Sequence, residues 1–148
     1  MRPRVEEVCR AFAVDLIERV APAISPSYHQ GTAAMIATML LILGEEWDRS
    51  ASRRVQENAR LRQLFRDAAS RVNDPSLKSR LLELVETSDH DLRISALEAS
   101  NCALRAALID LQAHVETQVG SDARRIEQLI WRELVESTER RRLSIAQF

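Results

Sequence analysis

Glu45 and Asp48 stand three residues apart directly after a long apolar run, a spacing that puts both carboxylates on one helical face. Such a pair could bind a metal or exchange protons. A di-metal carboxylate bundle, however, needs Glu-x-x-His on two helices, and that spacing occurs nowhere in the chain. His29, His90 and His114 fall on segments that the expected topology does not bring together, and Asp110 with His114, four apart, reads as a surface hydrogen bond. Cys9 and Cys102 have no second cysteine at a redox spacing and read as inert core thiols. The cluster Arg140-Arg141-Arg142-Leu143-Ser144 could touch phosphate or resemble a kinase motif, but arginines complementing the dipole at a helix C-terminus explain it without further assumptions. There is no Gly-rich phosphate loop, nucleophile elbow, zinc spacing or nucleic-acid motif. The residues therefore assign no catalytic, cofactor-binding or metal site, and the chain reads as non-catalytic.

The elements that would carry these residues are helices. In 148 residues, 45% of them apolar, there are 3 Gly and 4 Pro, against roughly 10 and 7 at average usage. A sheet protein of this length needs more turns. The 21 basic residues nearly balance the 22 acidic ones, giving a net charge of −1, unlike a dedicated nucleic-acid binder. No signal peptide opens the chain, and the apolar run from Ala33 to Leu43 is too short to span a bilayer. The expectation is a cytoplasmic, all-α protein: one domain over 1–148, with helices at about 3–20, 27–72, 75–119 (with a break allowed near 88) and 121–143.

Pro3 starts the first helix, and Val5, Val8, Phe12, Leu16, Ile17 and Val20 recur on one face of it. The second, with Gly44 as its one interior glycine, would be a rod of roughly 60 Å. Asn73-Asp74-Pro75 then supplies a turn, with Asp74 as cap. Two long helices joined by a tight turn lie antiparallel. Residues 49–72 carry +5 and residues 73–118 carry −4, so the basic arm has an acidic neighbour. A ten-residue segment from Asn58 resembles another from Asn101, 43 residues on, sharing its Asn, Leu, Arg and Asp. Both asparagines fall on helix seams, where a buried amide can fix register.

The expected architecture is an antiparallel four-helix bundle with two long central helices forming a projecting helical hairpin. Residues Ala33 to Leu43 are apolar on every side and so must be surrounded; the first and last helices are expected to sheathe that end. Toward the Asn73 turn the pattern thins to a narrow seam, and Val55, Asn58, Leu61, Leu64, Phe65, Leu81, Leu82 and Ile94 become candidate interface residues of a homodimer. The function expected is a small helical interaction or accessory protein that presents its hairpin arm, with a protein partner engaging either the hairpin tip or the polar segment 86–91. An alternative is a ligand-binding bundle or enzyme with an apolar pocket at Met35, Met39, Trp47 and Leu108, and a second is weak nucleic-acid association through the arginines from Arg49 to Arg71.

Overall fold

A computed structural model describes residues 3–144, and among them every regular element is helical. Helix α1 spans Val5–Asp15, a π-helical turn spans Leu16–Val20, and α2 spans Ala21–Ala23. Pro22 has no N–H to give to a helical ladder, and just ahead of it the ladder widens, the Ala21 N–H reaching the Leu16 carbonyl. Ile24 is extended, which ends the helix before Ser25-Pro26. Then follow α3 (Ser27–Ala69), α4 (Pro75–Val85), α5 (Ile94–Glu116) and α6 (Ser121–Arg141). No helix among the described residues is long and apolar enough to cross a membrane.

Within the span expected to form one domain, the residues group into two compact units. Unit 1 is Met1–Ser50 with Leu143–Phe148, and unit 2 is Ala51–Arg142; the division falls inside α3.

Unit 1 is a layer of two helices, α1 and the first part of α3. Their contact is made by small residues. Cys9 and Ala13 of α1 are buried, as are Ala33 and Ala37 of α3. A Cβ added at Gly44 would stand 3.2 Å from the Cys9 Cβ and 3.4 Å from the Glu6 Cα. Glycine is needed here because the two backbones come this close.

Unit 2 encloses one core drawn from α3 (Leu61, Leu64, Phe65, Ala68), α4 (Leu81, Val85), α5 (Leu104, Leu108, Leu111, Val115) and α6 (Ile126, Ile130), with Val72 from the turn after α3. Asp74 starts α4 as the sequence predicts, its Oδ1 accepting the Ser76 and Leu77 N–H groups at 2.8 and 3.1 Å. The third stretch is broken where the sequence allowed it, near 88, so it forms two helices and not one long rod. The chain leaves its helix at Glu86 and reverses, so that Arg80 of α4 pairs with Asp110 of α5. Glu86 to Asp91 offer no apolar side chain to bury, and their short polar groups satisfy backbone instead. Thr87 Oγ1 donates to the Leu84 carbonyl at 2.7 Å, and Asp91 Oδ1 accepts the Arg93 N–H at 3.0 Å.

That reversal corrects the two halves of the sequence expectation together. The seam expected to be bare is covered within the chain: Asn58, Leu61, Leu64, Phe65 and Leu81 are buried and Val55 is half-buried, because α5 folds back and α6 closes over them. Of the eight candidate interface residues only Leu82 and Ile94 are exposed. The apolar end expected to be sheathed is open: Met35, Ile36, Met39 and Leu43 each expose about half their surface.

Candidate functional site

The most distinctive surface of unit 1 follows from helical geometry. With Ala33, Ala37 and Gly44 turned toward α1, steps of three and four place Ile36, Leu40, Leu43 and Trp47 together on one flank of α3. On the opposite flank Glu6 and Arg10 of α1 lie beside Leu41, Glu45, Asp48 and Arg49. The same geometry leaves Val5, Val8 and Phe12 of α1 on the apolar flank, next to the α3 row. The layer is thus polar along one edge and carries a continuous uncharged face along the other, Phe12 being 60% and Trp47 62% exposed. Small residues face inward and large ones outward, the reverse of a self-contained core.

The polar edge is closed by hydrogen bonds. The Ser144 backbone N–H and Oγ both donate to Glu45, at 2.9 and 2.8 Å, and Arg49 pairs with the same carboxylate. Burial alone would raise the Glu45 pKa, but these donors outweigh it and hold the carboxyl below its ordinary range. Glu45 is thus held as an ionised acceptor by Ser144 and Arg49.

Unit 2 contains a polar network that the sequence reading did not anticipate. Glu57 of α3 is fully buried. Arg141 of α6 donates to both its oxygens, at 2.7 and 2.8 Å, and Arg54 donates at 3.1 Å. Arg105 of α5 lies 3.6 Å away, and Ser137 Oγ donates at 3.4 Å. Burial pushes the Glu57 pKa up; the Arg141 hydrogen bonds and the charges of Arg141, Arg105 and Arg54 pull it further down, to about 2. A second centre is Asp89, in the loop between α4 and α5. Arg62 holds it through two bonds, at 2.8 and 2.9 Å, with Ser100 Oγ at 3.0 Å and Asn58 Nδ2 at 3.2 Å also donating. Arg62, with burial opposing it, lowers the Asp89 pKa. Asn101 Nδ2 donates to Asn58 Oδ1 at 2.9 Å and links the two centres. The two seam asparagines thus meet each other.

Of the residues considered for a pocket, Met35, Met39 and Trp47 are exposed on unit 1, and Leu108 is buried in the core of unit 2. Asp110 pairs with Arg80 and not with His114. Cys9 is buried as expected, but Cys102 is exposed. Among the described residues no group of three or more His, Cys, Asp or Glu could hold a metal ion. Of the arginines considered for nucleic acid, Arg49, Arg54, Arg62 and Arg71 pair with Glu45, Glu57, Asp89 and Asp122. No protein-family model, curated protein or solved structure matches the chain.

Proposed function

We propose that this chain is a non-catalytic helical interaction protein that acts as a homodimer. In this reading unit 2 is an antiparallel four-helix bundle, and unit 1 is the contact layer. One observation carries the reading: a two-helix layer whose inward side chains are small and whose large apolar side chains, Phe12, Ile36, Met39, Leu43 and Trp47, face solvent. Two helices bury too little to hold such a face open alone, and contiguous exposed apolar patches mark contact surfaces. The polar network of unit 2 supports the passive half of the reading. Arginine holds Glu57 and Asp89 through two bonds each, which suits carboxylates that tie helices together. Equilibrium sedimentation of the full chain tests the proposal. The expected particle contains two chains; a single chain throughout the accessible concentration range would refute it.

A further inference from the structure

We infer that the occupant of the apolar face of unit 1 is the same face of a second copy, so that two two-helix layers stack into one four-helix core about a two-fold axis. This rests on the interaction reading above and says which surface and which partner serve it. The partner's chemistry is constrained first. Phe12, Ile36, Met39, Leu43 and Trp47 are all apolar, and the nearest charges, Asp15 and Glu46, border the row, so a complementary surface must itself be largely uncharged. The identical face meets that condition. Area is the second constraint. Each of the five exposes about half of its surface or more; at on the order of 100 Å² apiece they offer about 500 Å², and Val5, Val8 and Leu40 bring the face to about 600 Å² per copy. Two such faces bury about 1,200 Å², the lower end of the range for specific interfaces. Layer geometry is the third. A pair of helices packed through Cys9, Ala13, Ala37 and Gly44 is half of a bundle, and an isologous contact completes it with no other component.

Trp47 reports on the contact once Trp131→Phe removes the other indole. In this background the dimer is expected to give a buried, blue-shifted Trp47 emission that moves to the red on dilution, in step with the loss of mass by sedimentation. Ile36→Glu with Leu43→Glu changes only exposed side chains. It should weaken association by at least about 100-fold and leave the helical circular dichroism unchanged. Should that variant fold poorly, dilution of the parent protein still decides. A dimer whose Trp47 emission is indifferent to dilution, or that survives the double substitution, overturns the assignment of this face while leaving the homodimer standing. A single chain at all concentrations overturns both. Trp47 burial only when neutral phosphatidylcholine vesicles are added would show a membrane surface as the occupant and also overturn the inference.

Discussion

Replacing Glu57 by glutamine keeps the shape of the side chain and removes the charge that three arginines share. The magnitude follows from the structure. The carboxyl has a pKa of about 2 against an ordinary 4.5, and each unit of difference is worth about 1.4 kcal/mol, so the ionised form contributes about 3 kcal/mol to folding at neutral pH. Glu57 itself is fully buried and needs no discount, but the Arg141 side chain is 41% exposed and can recover water when its partner is lost. The expected cost is therefore about 2–3 kcal/mol, or a fall of roughly 10–20 °C in Tm for a unit of this size. A carboxyl whose folded pKa is depressed stabilises above its unfolded pKa and loses that contribution as pH falls through the folded value. The gap between wild type and Glu57→Gln should thus be full above about pH 5 and close between about pH 4.5 and 2. Urea and thermal unfolding followed by circular dichroism at pH 7 and pH 3 measure both effects. A variant within about 0.5 kcal/mol of wild type at pH 7 would refute the reasoning, as would a gap that stays constant as the carboxylate protonates.

Three further substitutions test other parts of the fold. Asp89→Asn removes the charge that Arg62 holds at 2.8 and 2.9 Å; amide hydrogen exchange across residues 86–93 should accelerate at least about tenfold while the core of unit 2 keeps its protection, and uniform exchange would contradict the anchoring role. Gly44→Leu puts side chain where even a Cβ would meet Cys9 at 3.2 Å, so α1 must move, unit 1 should lose about 1–3 kcal/mol, and the buried Cys9 thiol should become reactive to a thiol reagent. Glu133 sits on the other side of the balance: burial raises its pKa in spite of its pairing with Arg140, so Glu133→Gln should change stability by less than about 1 kcal/mol in denaturant unfolding, far less than Glu57→Gln.

The all-helical character was legible from the scarcity of Gly and Pro, and the Asn73-Asp74-Pro75 turn from its capping chemistry. The topology was not, because connectivity alone allows the segment after Pro75 to continue or to reverse, and reversal depends on Arg62 being available to hold Asp89. The similarity between the segments at Asn58 and Asn101 carried more information than its length suggested: Leu61 and Leu104 share one core, and the two amides hydrogen-bond. Glu57 was missed because it lies in an arm with seven arginines, where a carboxylate looks like a solvated counter-charge. A signal was present. Glu57 is in phase with Leu61, Leu64 and Ala68, and Glu133 and Ser137 continue the stripe of Ile126 and Ile130, so polar residues that extend an apolar stripe mark the buried network. The open face of unit 1 was hidden for a different reason. An all-apolar helix was taken to need cover from its own chain, whereas Ala33, Ala37 and Gly44 let α1 pack closely on the small side and leave the large side bare.

The central claim, that the bare side is covered by a second copy, is tested most directly by isotope-filtered NOE measurements on a mixture of labelled and unlabelled chains. Intermolecular contacts joining Phe12, Ile36, Leu43 and Trp47 of one copy to the same set of its partner, in a particle of twice the 16.8 kDa chain mass, are the predicted result. Intermolecular contacts confined to Leu82, Ile94 or Trp131, or none at all, would contradict it.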